Sequence, residues 1–163
     1  MKRGSTLFLR IALLILVIPI LALCIFLLPQ IAIEAFEHAK QGATLAYVVF
    51  GILLAMYASA VPFFVALYQA WKLVTYIDQS KAFSNLSVTA LKNIKRCALV
   101  ISGLYAVALP LIAIIAQWDD APGLIVIGLV IVGASIVVAV FAAVLQMLLR
   151  EAIQIKSENE LTV

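Results

Sequence analysis

Glu34 and His38 stand four residues apart, one turn of a helix. With Glu37, Asp119 and Asp120 they are the side chains of this chain best suited to hold a divalent cation from outside a membrane. The spacing gives only a two-ligand start, Glu34 with His38, and Asp119 and Asp120 would have to be carried to it. A solvated polar face is the plainer expectation. The other groups able to do chemistry are hydroxyls, Tyr57, Ser59, Ser102, Tyr105 and Ser135, each set within a long apolar run. His38 is the only histidine and lies outside those runs, so no Ser–His or Cys–His pair can be built at their depth. Proton-coupled transport and intramembrane hydrolysis need ionisable groups or metal ligands there. The expectation is a protein that is not an enzyme and takes no cofactor.

What positions these residues is a set of helices that water cannot account for. The chain has 163 residues, 66% of them hydrophobic and only 12% charged, and its mean hydropathy is +1.21. Soluble domains carry roughly 45–50% apolar and about 25% charged residues. Four stretches lack Asp, Glu, Lys, Arg and His: 11–33, 41–71, 97–118 and 121–149. A bilayer core of about 30 Å needs roughly 20 helical residues to cross it, and trimming polar ends gives expected spans near 11–29, 44–70, 97–117 and 124–149. The fold class is therefore an all-α integral membrane protein, a four-helix transmembrane bundle forming one domain over 1–163. A secretory signal reading of the first run fails because the run is too long. Leu21-Ala22-Leu23-Cys24 has Leu23 where a lipoprotein cleavage site wants a small residue.

Lys2, Arg3, Arg10, Lys72, Lys81, Lys92, Lys95, Arg96, Arg150 and Lys156 all fall on one side of these spans, and Lys40 alone falls on the other with Glu34, Glu37, Asp119 and Asp120. This asymmetry predicts that both termini are cytoplasmic, in the inner or plasma membrane. The net charge of +3 is thus a topology signal; direct nucleic-acid binding is not expected, and anionic headgroups are the natural counterpart of the basic side.

Lipid tails compete with Leu for Leu, so helices associate in a bilayer where small residues allow close approach. Rows four apart mark the expected seams: Gly51, Ala55 and Ser59 in the second span; Ala98, Ser102 and Ala106 in the third; Ser135, Ala139 and Ala143 in the fourth. The first span, built of Leu and Ile, is expected to be the most lipid-exposed. Pro19, Pro62 and Pro110 free one carbonyl each and predict kinks. The segment 29–42 opens with Pro and closes with Gly, as a short surface helix should.

The side carrying the termini offers more recognisable text. In the loop 72–96, Phe83, Leu86, Ala90, Leu91 and Ile94 recur at helical spacing with Ser84 or Ser87 as N-cap, and the pattern runs straight into the third span, predicting an interfacial helix whose Lys92, Lys95 and Arg96 reach phosphates. The tail 150–163 continues the fourth helix, with disorder expected after Lys156. Phe83, Leu86, Leu91, Lys92, Lys95, Arg96, Ile155, Lys156 and Leu161 are the candidate partner contacts.

Four stretches carry a family resemblance: Phe64 through Tyr76 after Pro62; Ile77-Asp78 with Phe83-Ser84; Ala90-Leu91-Lys92-Asn93-Ile94-Lys95; and Leu148-Leu149-Arg150-Glu151-Ala152 with Ile155 through Val163. Along essentially the whole chain it resembles the bacterial membrane family named as domain of unknown function 2975, the YoaS-like proteins. Asn159-Glu160 departs from the Asn-Asp of many relatives. The resemblance implies four spans, no assigned chemistry, and a gene commonly beside one for a small helix-turn-helix regulator. The leading expectation is a non-enzymatic protein that holds or senses a cytosolic transcription regulator through 78–96 and the tail. The alternative is a homo-oligomeric channel or exporter for a neutral or apolar solute.

Overall fold

The computed structural model describes residues 2–40 and 44–162, and every described element is helical. α1 (Lys2–Ala22) passes through a π turn (Leu23–Leu27) into α2 (Leu28–Lys40); α3 (Thr44–Asp78), α4 (Asn85–Trp118) and α5 (Gly123–Thr162) follow. Four helical segments are long and apolar enough to cross a membrane: Gly4–Glu37, Thr44–Asp78, Asn85–Trp118 and Gly123–Leu161. Their 34 to 39 residues correspond to about 50–60 Å at 1.5 Å per residue, well beyond a bilayer core of about 30 Å.

The helices pack in chain order. α1 and α2 lie on α3, α3 lies on α4, and α4 lies on α5, with the most extensive contacts on the two sides of α4. α4 is the centre of an open row. Gln69 and Gln146, at similar depth on α3 and α5, make no hydrogen bond to each other among the described residues, because α4 stands between the helices that carry them.

The segment 29–42 is not a separate surface helix. Its described part is α2, which continues the first span and packs upright against α3, with Leu28 and Ala35 buried on one side and Ala46 and Leu53 on the other. Along α1 and into the π turn a covered line runs Thr6, Arg10, Leu13, Val17, Ile20 and Cys24, alternating steps of four and three, with Ala12 and Leu23 half-buried beside it. Along α2 one covered line is Leu28, Ala32, Ala35 and Ala39, with Pro29 and Ile31 half-buried beside it. A regular alternation would have placed Leu27 after Cys24 and then Ile31 and Glu34. The π turn inserts one residue and so rotates α2 by about 100°, which turns three alanines toward α3 and leaves Glu34 exposed.

Pro29 explains where that turn sits. The Leu28 N–H donates to the Leu23 carbonyl, five residues back, and Pro29 has no N–H to offer. The Cys24 carbonyl is left with neither backbone donor, and the Tyr57 hydroxyl of α3 donates to it at 3.3 Å. Pro19, Pro62 and Pro110 lie inside α1, α3 and α4, which run on past them.

The other seams follow the same alternation. On α5 the covered line is Gly128, Ser135, Ala139, Ala142 and Gln146, and a Cβ on Gly128 would stand 2.8 Å from Leu109 Cδ2 of α4. On α3, a Cβ on Gly51 would stand 2.9 Å from Leu111 Cδ1, Ser59 is buried, and Ala55 is half-buried. Ala98 and Ser102 are buried on α4, but Ala106 is exposed. A row of steps of four drifts about 40° around the helix at each step, and by its third member Ala106 has left the contact. Ala139 is buried for the same geometric reason that Ala143 is only half-buried.

Candidate interaction surface

The turns between α3 and α4 and the ends of α1 and α5 gather at one end of the row. Arg10 Nη2 lies 2.8 Å from Asp78 Oδ2 and 3.4 Å from Thr75 Oγ1, and its guanidinium carbon is 5.1 Å from the Trp71 ring centre. This pair thus fastens the start of α1 to the end of α3. The α3–α4 turn is closed by backbone geometry: Ser80 has φ +60°, Gln79 N–H donates to Thr75 O at 3.0 Å, and Lys81 N–H donates to Tyr76 O at 2.7 Å, the bonding of a helix that ends in a left-handed residue. Ser84 occupies the N-cap position of α4 in extended conformation. Its hydroxyl accepts no N–H from the helix and donates to Lys81 O, at 2.6 Å, and the Ser87 hydroxyl donates to the same carbonyl at 3.3 Å.

The expected helix forms and runs straight into its span, as the first part of α4, instead of lying apart from it at the interface. Ser87, Val88, Ala90 and Leu91 are buried there, as is Val74 on α3. Leu91 is therefore a core residue of the projecting end and not a partner contact: the face it occupies is the one α4 presents to its neighbours. Lys92 and Lys95 are half-buried and Arg96 is exposed. The tail does not lose order after Lys156, since α5 runs to Thr162 and carries a Gln154–Glu158 hydrogen bond of 3.4 Å across one turn.

α5 thus extends about 20 Å beyond Leu149, alongside the α3–α4 turn. Between them lies an open groove of about 610 Å³, lined by Phe83, Ala152, Ile155, Lys156, Asn159 and Glu160. Phe83 is 57% exposed and Ile155 59% exposed, and both stand past the apolar runs, where water and not lipid tails would cover them. Leu86 and Leu161 are also exposed on this end. Of the sequence candidates the groove brings together Phe83, Ile155 and Lys156. Ala152, Asn159 and Glu160 were missed because the tail was not expected to stay helical across its full length; the steps of three and four from Ala152 through Ile155 to Asn159 were the available signal.

At the other end, Glu34 lies on α2, while Asp119 and Asp120 form the α4–α5 turn, where Asp120 takes φ +50°. α2 packs on α3 and has no extensive contact with α4 or α5, and Glu34 is not brought beside Asp119 and Asp120 in a shared metal site. The His38 side chain lies outside the described residues. Among the described residues no group of three or more His, Cys, Asp and Glu side chains is placed to share a metal ion.

A family model described as a protein of unknown function, DUF2975, matches residues 33–163. Over 163 residues the chain is 60% identical to a Bacillus subtilis (strain 168) protein described as uncharacterized membrane protein YoaS, with 100% of both chains covered. No solved structure matches.

Proposed function

This chain belongs to the DUF2975 family, and from that premise we propose that it is a non-enzymatic docking protein of the plasma membrane. Its basic end, with both termini, faces the cytoplasm and holds a cytosolic protein. One observation carries the reading: the groove beside Phe83 and Ile155 is an apolar surface built on a packed helical end beyond the membrane-crossing runs. Buried Ser87, Val88, Ala90 and Leu91 make that end a firm platform, and helix-in-groove recognition suits such a surface. The partner proposed is the small helix-turn-helix transcription regulator that the family resemblance implies.

The full chain in detergent should capture the regulator encoded beside it, and Phe83→Glu with Ile155→Glu should reduce capture by more than tenfold while helical content stays constant. Failure of the intact protein to bind that regulator would remove the reading. In the same cells, cysteines placed at Gln79 and Asn159 should resist an impermeant thiol reagent, whereas one at Asp120 should label; labelling at Gln79 would reverse the orientation.

A further inference from the structure

We propose that the projecting end carries, at its base, a binding belt for anionic phospholipid headgroups, formed by Lys72, Lys92, Lys95, Arg96 and Arg150. Helix register places these cations together. Gly51 against Leu111 and Ser59 beside Tyr105 set α3 and α4 antiparallel with Lys72 opposite the Leu91–Lys92 turn. Gly128 against Leu109, and the groove shared by Phe83 with α5, set Arg150 within about a turn of the same level. Arg10 stands there too, but it is occupied by Asp78. Among the described residues that is the ion pair at this level, and the five belt cations have no carboxylate partner.

Depth points to the anion. Exposed Tyr47 and Trp118 mark the opposite end, and from Tyr47 to Tyr68 is about 32 Å of helix at 1.5 Å per residue, one bilayer core. Lys72 Nζ lies 4.8 Å from the Tyr68 ring centre, at the aromatic level of the near interface. The five cations lie within about two and a half turns of one another along the axis at this interface, with no carboxylate paired to them among the described residues, and the anion held at that depth by a membrane is the lipid phosphate.

The full-length protein in detergent should gain thermal stability and retain lipid when titrated with phosphatidylglycerol. Phosphatidylcholine and inorganic phosphate should do neither. Lys72→Gln, Lys92→Gln, Lys95→Gln, Arg96→Gln and Arg150→Gln should weaken phosphatidylglycerol binding by about fivefold per cation removed, while Lys72→Arg, Lys92→Arg and Lys95→Arg, and Lys40→Gln at the far end, should preserve it. Should the fivefold variant fail to fold, Lys95→Gln and Arg96→Gln singly carry the same expectation. Equal affinity for the two phospholipids, binding of inorganic phosphate alone, or unchanged affinity after neutralisation would each overturn the proposal.

Discussion

Gly128→Leu should lower the melting temperature of the detergent-solubilised protein sharply, while Gly133→Leu, five residues further along the same helix, should leave it nearly unchanged. A Cβ on Gly128 would stand 2.8 Å from Leu109 Cδ2 and 3.4 Å from Ile112 Cδ1, whereas one on Gly133 meets nothing within 4 Å. The near atoms are ends of flexible side chains, so Gly128→Ala should be absorbed by a small shift. A leucine would need the space those side chains fill and would push α5 from α4. Overpacking of this kind costs about 1–3 kcal/mol, and in lipid no hydrophobic gain offsets it, because helix association there rests on close contact. Gly51→Leu should act likewise through Leu111 Cδ1, 2.9 Å from the added Cβ. Similar melting temperatures for the Gly128 and Gly133 variants would show that the α4–α5 seam is not where the glycines place it.

Deleting Phe26 should be tolerated, and deleting Leu16 should not. The π turn holds one residue more than an α-helix would, and removing it there lets a regular helix carry the same covered line from Cys24 into Leu28, Ala32, Ala35 and Ala39. The proline would then follow Cys24 at four residues, so the same carbonyl would still want a donor and Tyr57 would still supply it. Deleting Leu16 instead turns every covered residue between it and the π turn by about 100°, away from α3. Tyr57→Phe, which leaves the Cys24 carbonyl unserved, should cost about 1 kcal/mol, in line with interhelical hydrogen bonds in membranes. Circular dichroism melts of the three variants decide the matter; a folded Leu16 deletion as stable as the Phe26 deletion would show that the turn does not set the register.

Hydropathy and charge were enough to read four spans and the gathering of basic residues at one end, since both depend on composition over lengths of twenty residues. Contacts were harder. The seams run by sevens, Gly128 to Ser135 to Ala142, and a search by fours found Ser135 and Ala139 but passed over Gly128 and carried on to Ala106, which faces outward. The Arg10–Asp78 pair joins residues 68 positions apart, and nothing local in either segment announces the other. The π turn was written in the sequence as a broken alternation ahead of Pro29, but it is legible only once the covered face of α1 is known. Phe83 and Ile155 could be chosen as exposed apolar residues outside the membrane; that they share a groove depends on how far α5 stays helical.

The chain-order packing of the row also bears on how the protein is made. Each crossing helix leans on the one before it, so α3 can settle on α1 and α2 while α4 is still within the ribosome, and α4 then offers its second flank to α5 as the last segment leaves the translocon. No helix waits for a distant partner. Contacts that are near in sequence close early, and a nascent chain stalled after α4 would already hold two of its three interhelical seams, leaving the final helix to be added to a finished edge.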